Sequence, residues 1–447
     1  MLHRQRKMVA SLATCALFAC TGLVRADQSN STFQSRSPSL SLSDPQYMDQ
    51  AATAPATEPA SAPATAPAAP GPTSVLGLGI TAIGGGFLSA DPYDFKFTGF
   101  VEGSYTTAFQ DPPGHLLPGR VFDFQSDKVI LDQVDLSVER DVDFTKAAKG
   151  KMDFGGKIEF IYGGDAGLTH SAGIFDNFNG PHDPDNQPDL LQAYADVLVP
   201  VGSGLDIRMG KFVTLLGYET INPTTNPLFS HSYEFGFGIP FTQTGVLGIY
   251  NFNSQWTLTA GVTDGWNQST TDTHNGALDF LGQIKYVKDP TLTLLTNVSI
   301  GPERFEDAHD YRFMLESNAI YTPANSAWTF GLDPFFAADA HGANNGDTAY
   351  WYGVVGYAGY KIDDYFTVNG RLEWYRDDGG ETFASSGSAS YYEGTLGVTI
   401  KPFPSSLIGQ NLMIRPEVRY DFSNRRFFDG GTEKDQTTVG VDAIFQL

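Results

Sequence analysis

The sequence is poor in cysteine, in basic residues and in long apolar runs. Its two cysteines, Cys15 and Cys20, lie close to the N-terminus, so a chain cleaved after Ala26 would hold neither a disulfide nor a thiolate metal ligand. Lys and Arg number 28 against 51 Asp and Glu, which gives a formal net charge of −23. Because phosphate binding requires basic side chains, this balance argues against nucleic acid as a partner.

The start of the chain has the pattern of a secretion signal. A basic segment, 1–7, precedes an apolar stretch, 9–24, and together they predict a signal peptide over 1–26. The stretch is too short, and too interrupted by Thr and Gly, to favour a membrane anchor. One alternative stays open: residues 17–20 loosely resemble a lipoprotein cleavage site, which would retain Cys20 as a lipid anchor.

Two segments separate this signal from the rest of the chain. Residues 27–72 are rich in Ser, Pro and Ala, a composition that cannot build a core and predicts a disordered, extended tether. Residues 73–94 are apolar and Gly-rich, too short for a spanning helix, and their role is unknown. We predict that residues 95–447 form one large β-domain, since the 48 glycines and 13% aromatics suit turns and strands.

From residue 95 onward, stretches of about ten alternating residues recur, the length of a tilted strand that crosses a bilayer. The predicted strands are 95–105, 128–140, 154–163, 189–199, 205–215, 245–252, 256–264, 280–288, 291–301, 310–320, 327–338, 350–361, 365–376, 391–401, 411–422 and 436–447. Backbone groups in hydrocarbon must all be paired, so such strands have to close on themselves. The fold class predicted is therefore all-β: a transmembrane antiparallel up-and-down barrel of about 16 strands, with 14 to 18 as the range.

The connections favour the same fold. Those after odd-numbered strands are long and rich in Asp, Asn, Gly and Pro, such as 164–188, whereas most after even-numbered strands are tight, such as 253–255. Bacterial barrels pair long outer loops with short periplasmic turns. We therefore expect the outer membrane of a Gram-negative-type bacterium, with the tether in the periplasm.

The two faces of single strands carry different chemistry. In 411–422, Arg415, Glu417, Arg419 and Asp421 share one face, which needs water rather than lipid. The alternative is a soluble sandwich, whose strands also alternate. Aromatic residues near strand ends favour the barrel because they suit interfacial girdles; they are Tyr105, Tyr162, Tyr250, Trp256, Trp328, Trp351, Trp374 and Tyr420.

The connection 216–244 is the longest and carries many aromatic residues. Such rings need burial, and the barrel interior is the nearest apolar space, so we predict a loop that folds inward and narrows the lumen. The predicted constriction residues are Tyr218, Glu219, Tyr233, Glu234, Phe235 and Phe237. The alternative is a loop packed above the rim.

Charges of both signs are predicted to face the lumen, which in a barrel of this size should stay wet. They are Asp135, Glu139, Glu159 and Arg208 on the early strands, and Arg312, Arg371, Glu373, Arg415, Glu417 and Arg419 on the later ones. Opposed walls would set a field across the pore. Equally, these charges could pair and only hold the shape of the lumen.

Signals for other chemistry are weak. Asp183, Asp185 and Asp189 offer the oxygen ligands that Ca²⁺ prefers, but without the spacing of a calcium loop. The sequence has no His-x-x-x-His pair and no Gly-x-Ser-x-Gly elbow. We therefore expect no cofactor and no enzymatic activity.

The block of residues around the longest connection resembles the OmpL-like β-barrel porin family. The motifs that match are 208–212, 217–219, 222–223, Asn226, 230–233 and 240–246. Gln243 and His231 depart from the family pattern, which concerns selectivity and not fold. The resemblance implies an outer-membrane barrel that passes small hydrophilic solutes by diffusion. The partners expected are outer-membrane lipid, small solutes and the barrel-assembly machinery, with a homo-oligomer left open. The alternative is a structural or adhesive barrel that anchors the envelope through its tether.

Overall fold

The computed structural model describes residues 95–110, 112–176, 186–270, 275–383, 387–406 and 408–447. The signal, tether and Gly-rich segments predicted over 1–94 lie outside these residues. Sixteen strands are present: β1 Lys96–Ala108, β2 Lys128–Arg140, β3 Asp153–Gly163, β4 Gln187–Val199, β5 Leu205–Val213, β6 Thr242–Asn251, β7 Trp256–Thr263, β8 Asp279–Asp289, β9 Leu292–Arg304, β10 Asp307–Tyr321, β11 Trp328–Asp339, β12 Ala349–Lys361, β13 Phe366–Asp378, β14 Ala389–Ile400, β15 Leu412–Ser423 and β16 Asp435–Gln446.

The sheet closes into a barrel in which each strand pairs antiparallel with its neighbours in sequence. Closure is made by β1 and β16, in a register that places Val101 opposite Phe445 and Tyr105 opposite Val441. A closed sheet has no unpaired edge, which is what a strand in hydrocarbon requires. The predicted barrel of 16 strands is confirmed, and the soluble sandwich is excluded.

Alternation along the strands separates an apolar outside from a polar inside. On β13 the outward Leu372 is 72% exposed, whereas its neighbours Arg371 and Glu373 are 1% and 4% exposed. On β15 Val418 and Tyr420 are exposed, and Arg419 and Asp421 are fully buried. Exposed apolar and buried charged side chains therefore alternate along these strands, because each side chain points opposite to the next.

Most of the aromatic residues predicted for the outer girdles are exposed, among them Trp256, Trp328, Trp374 and Tyr420. Trp351 is an exception, and its prediction was wrong. Its ring is fully buried inside the barrel, where Nε1 donates to the carbonyl oxygen of Gly238 at 2.9 Å. Its inward parity on β12 is shared by the buried Val355 and Tyr357.

Connections after odd-numbered strands are mostly the long ones, but the prediction fails once. Between β9 and β10 only residues 305–306 remain, because both strands extend beyond their predicted ends. Short helical turns lie in several connections: Pro113–His115, Phe144–Ala147, Ala166–Thr169, Glu234–Gly238, Gly409–Asn411 and Phe428–Gly431. Among the described residues, no helix combines the length and the apolar character needed to cross a membrane.

Candidate functional site: a loop that crosses the barrel

Residues 214–241, here called the inner loop, join β5 to β6 and fold into the barrel. In a closed ring of 16 strands, β5 lies opposite β13, yet the loop reaches β13 and its neighbours. Tyr233, Phe235 and Phe241 are at most 1% exposed. The loop folds inward because packing these rings against the strand wall removes their apolar surface from water.

The tip of the inner loop is the π-helical turn Glu234–Gly238. Phe235 packs on Phe122 and Phe241, with ring centroids 5.5 and 5.7 Å apart, and Phe237 packs on Phe383 at 4.5 Å. Through Phe122 and Phe383, these contacts join the inner loop to the β1–β2 connection and to the β13–β14 connection. At the base of the loop, Gly217 has φ +90° and would place a Cβ 2.4 Å from Ile239 Cδ1, so glycine is required there.

Two carboxylates of the wall hold the backbone of the inner loop. Glu373 on β13 accepts from the amides of Tyr233 and Glu234, at 2.6 and 2.8 Å. Glu417 on β15 accepts from the amides of Phe229 and Ser230, at 2.9 and 3.1 Å. Each carboxylate thus binds two consecutive N–H groups of an irregular segment that would otherwise leave them unpaired.

Three arginines of the same wall bind the loop's carbonyl groups. Arg371 donates to Ser230 O at 2.5 Å, and Arg419 donates to His231 O. Arg415 donates to two carbonyl oxygens, those of Pro223 and Asn226, each at 2.8 Å. The same guanidinium groups form ion pairs within the barrel: Arg371–Glu219, Arg371–Glu393, Arg415–Asp442 and Arg419–Asp421.

The five wall residues predicted to face the lumen are therefore covered by the inner loop. Arg371, Glu373, Arg415, Glu417 and Arg419 are all at most 6% exposed. The spacing of the sequence placed these side chains on one face, but it did not identify the loop's backbone as their partner. Their partners Glu219 and Ser230 are separated from Arg371 by 152 and 141 residues.

The predicted constriction residues occupy the loop as follows. Glu219 bridges Arg371 and the Ser232 amide, at 2.6 and 2.7 Å. The Tyr218 ring stacks on Tyr357 with centroids 4.2 Å apart, and burial raises the pKa of Tyr218 to about 12. Burial also raises the pKa of Tyr233 well above its ordinary value, and its hydroxyl donates to Asp421 at 2.7 Å.

Charges on the early strands pair locally. Arg208 on β5 forms a two-point contact with Asp196 on β4, at 3.0 and 3.1 Å, and lies 3.8 Å from the centroid of the Tyr194 ring. Glu159 pairs with Lys157 at 2.8 Å. Two further predicted lumen charges also lie in this half, Asp135 buried and Glu139 partly buried near the end of β2. The first pair joins neighbouring strands and the second lies within β3, so neither reaches a distant segment.

The remaining predicted residues are divided. Arg312 pairs with Asp339 at 2.5 Å and lies beside the rings of Trp266 and Trp351. Asp189 is fully buried between His170 and Lys211, at 3.4 and 3.5 Å. The other two weak metal candidates, Asp183 and Asp185, lie outside the described residues.

Sequence reasoning missed a second inward segment. The connection between β1 and β2 buries Arg120, which pairs with Asp123 at 2.5 Å and with Asp421 at 2.8 Å. Phe122 follows and stacks on Phe241, with ring centroids 5.8 Å apart. The adjacent Val121 and Phe122 were the available signal, since two apolar residues in a polar connection also need burial.

A closed barrel that is apolar outside, charged inside and crossed by a long inner loop has the architecture of an outer-membrane porin. The chain belongs to the family described as "Putative beta-barrel porin-2, OmpL-like", whose profile matches residues 94–447. It is therefore a porin, located in the outer membrane, and the porin class predicted from the sequence is confirmed.

Solved structures of porins share this fold at low sequence identity. An anion-selective porin from Comamonas acidovorans is 10% identical, with a TM-score of 0.52 over 79% of this chain and 99% of the other. The channel DcaP of Acinetobacter baumannii and OmpF of Salmonella typhi are each 12% identical, with TM-scores of 0.50 over 79% of this chain and 97% of theirs. No curated protein matches this chain.

Proposed function

We propose that small hydrophilic solutes diffuse passively through this barrel and that the inner loop forms its constriction. The observation that carries the proposal is the loop's path from β5 across to β13 and β15, where Glu373 and Glu417 bind its backbone. A loop fixed at both walls reduces the open cross-section, and pore width then decides what passes. The pore should be narrow, with low conductance.

We also propose a weak preference for cations. On the inward faces of β13 to β16, the three arginines are outnumbered by acidic residues; these acids are Glu373, Asp377, Glu393, Glu417, Asp421 and Asp442. An excess of carboxylates along a pore favours cations because the local potential is negative.

Single-channel recording in planar bilayers tests both statements. Purified barrel should give small stepwise conductances, and the reversal potential in asymmetric KCl should have the sign expected for cations. A heat-modifiable, correctly folded barrel that remains electrically silent would contradict the proposed channel. A reversal potential of the opposite sign would contradict the cation preference alone.

One observation favours the second candidate, an envelope-anchoring barrel without an open pore. The inner loop covers the charged wall so closely that Arg371 and Arg419 are at most 1% exposed. In that case the segment 27–72 would attach the barrel to the cell wall. Binding of this segment to peptidoglycan, together with electrical silence, would support this candidate, whereas stepwise conductance would exclude it.

The setting of the barrel follows from the same proposal. Both ends of an even-stranded barrel lie on one side, so the tether should lie in the periplasm. We propose contacts with outer-membrane lipid, insertion by the barrel-assembly machinery, no enzymatic activity, and a homo-oligomer as one possible assembly. A protease site placed in 27–72 should be cut only after the outer membrane is permeabilised, and native mass spectrometry would give the oligomeric state.

A further inference from the structure

Three buried carboxylates meet where the tip of the inner loop touches the barrel wall. Glu234 comes from the loop, Glu316 from β10 and Asp333 from β11. One oxygen of each lies within 4.8 Å of the others, and the three residues are at most 1% exposed. Here a carboxylate of the loop lies beside two carboxylates of the wall, whereas Glu373 and Glu417 on β13 and β15 bind the loop through its backbone amides.

The charge of this cluster is not balanced by arginine or lysine. Within the residues that the structure describes, none of the three carboxylates takes part in an ion pair. Asn297 donates to Glu316 at 2.5 Å and the Tyr218 amide donates to Asp333 at 2.8 Å. One oxygen of each carboxylate still has no donor: Glu234 Oε1, Glu316 Oε1 and Asp333 Oδ1. Burying charged groups without a compensating partner is unfavourable, so the cluster favours an occupant that supplies positive charge.

A fourth buried polar side chain, Asn318, lies beside Glu316 and is not a carboxylate. Asn318 follows Glu316 by two residues on β10, so both side chains point inward, and Asn318 is 3% exposed. Its side chain is within hydrogen-bonding reach of the Glu316 carboxylate. Its Nδ2 donates to Gly217 O at 3.1 Å, whereas its Oδ1 has no donor. Asn318 therefore adds a buried amide oxygen without a donor to the three carboxylates, and all four groups can bind a cation through oxygen.

We propose that Glu234, Glu316, Asp333 and Asn318 bind one Ca²⁺ ion, which fastens the tip of the inner loop to β10 and β11. All the ligand atoms are oxygens, the donors that hard divalent cations prefer. Carboxylate oxygens within 4.8 Å of one another can share one ion at Ca²⁺–oxygen distances of about 2.3–2.6 Å. Ca²⁺ also accepts an irregular set of ligands more readily than Mg²⁺, which requires near-octahedral geometry. Binding does not depend on the proposed constriction, although its effect on conductance does.

The competing occupant of the cluster is the proton. Burial, followed by the neighbouring Glu316 carboxylate, raises the pKa of Glu234 well above its ordinary value. A carboxyl with a raised pKa can share a proton with its neighbours and so reduce the negative charge of the cluster without metal. The two occupants differ in one measurable respect, since only a metal site saturates with Ca²⁺ at constant pH.

Terbium luminescence tests the proposal on protein extracted from outer membranes and freed of metal with EDTA. Tb³⁺ replaces Ca²⁺ at oxygen sites, and the ring of Tyr218, whose amide binds Asp333, should sensitise its emission. Wild type should show a saturable component that Ca²⁺ displaces more effectively than Mg²⁺. Glu316→Gln and Glu234→Gln should each weaken that component at least tenfold, because each removes one charged ligand.

The matched control is Asp279→Asn on β8, which removes another buried carboxylate with an oxygen lacking a donor but lies outside the cluster. It should bind Tb³⁺ as wild type does. If Glu316→Gln fails to fold, Ca²⁺ protection of the wild type against thermal unfolding at constant pH gives the same answer. Sensitised emission that Glu234→Gln and Asp279→Asn reduce equally would overturn the proposal, as would stability that follows pH but not Ca²⁺. A Ca²⁺-binding barrel that conducts nothing would contradict the proposed channel and leave this site intact.

Discussion

The wall formed by β13 to β16 and the wall formed by β2 to β5 carry ion pairs of different reach. On the later wall, Arg371 pairs with Glu219, which lies 152 residues away on the inner loop. On the early wall, Arg208 pairs with Asp196 on the adjacent strand, 12 residues away. Both guanidinium groups are buried. The first kind of pair fixes a loop across the lumen, and the second only joins neighbouring strands.

Burial and charge alone therefore do not identify the residues that shape a pore. An ion pair on the early wall stabilises a barrel that the backbone hydrogen bonds between its strands already hold closed. A pair on the later wall stabilises a segment with no ladder of its own, whose amides depend on Glu373 and Glu417. We therefore expect conductance to respond to the later wall, and overall stability to respond to both.

Deleting residues 232–239 should have the largest effect, because it removes the π-helical turn and the rings of Tyr233, Phe235 and Phe237 from the lumen. Single-channel conductance should rise several-fold. The control is deletion of 344–346, an exposed part of the connection between β11 and β12, which should leave conductance unchanged. Equal conductance of the two deletion proteins would show that the inner loop is not the constriction.

Arg371→Gln should be the next most severe change. It removes the ion pair that Arg371 forms with Glu219 and leaves Glu393 with Arg419 alone, at 3.7 Å, at a cost of about 3–5 kcal/mol in the free energy of unfolding. The inner loop should also loosen, which would raise conductance and its noise.

The matched variant on the early wall is Arg208→Gln, which leaves Asp196 unpaired. We expect a comparable loss of stability, measured by urea unfolding in lipid vesicles, with unchanged conductance. If Arg208→Gln alters conductance as much as Arg371→Gln, the distinction between the two walls is wrong.

Sequence reasoning went furthest where one physical rule acts alone. Alternation placed Arg371, Glu373 and Arg419 inside because a charged side chain cannot face lipid. It failed at Trp351, since β12 is apolar on both faces and its pattern gives no polar side to assign.

The partners of the inward charges could not be predicted for a different reason. Which loop carbonyl Arg415 binds depends on the path of the inner loop. That path depends on the packing of Phe235 and Phe241 on Phe122, which belongs to the connection between β1 and β2. The residue pattern within one segment does not predict such contacts with distant segments. The carboxylate cluster is similar: the alternation along β10 can place Glu316 on the inward face, but its approach to Glu234 follows from the fold.

His231 should make stability depend on pH. Burial, followed by Arg371 and Arg415, lowers its pKa well below the ordinary value, so the folded protein keeps it neutral. Below about pH 6.5 the unfolded chain gains a proton that the folded protein does not. Stability therefore decreases as the pH is lowered, by no more than about 2 kcal/mol at pH 5. His231→Gln, which can still accept from Asn226 Nδ2, should remove this part of the slope. Identical slopes for the two proteins in urea unfolding between pH 7 and pH 5 would contradict the assignment.

Tyr233→Phe should have the smallest effect, because the ring stays and only one hydrogen bond is lost. The hydroxyl donates to Asp421, whose carboxylate keeps Arg120 and Arg419 as partners, so we expect a loss of about 1.5 kcal/mol. Tyr218→Phe is the control, since that ring is held by stacking on Tyr357, and it should cost less. The comparison separates the hydrogen bond between the later wall and the loop from the burial of the ring. Equal losses of stability in the two variants would mean that the hydrogen bond from the Tyr233 hydroxyl to Asp421 does not stabilise the protein.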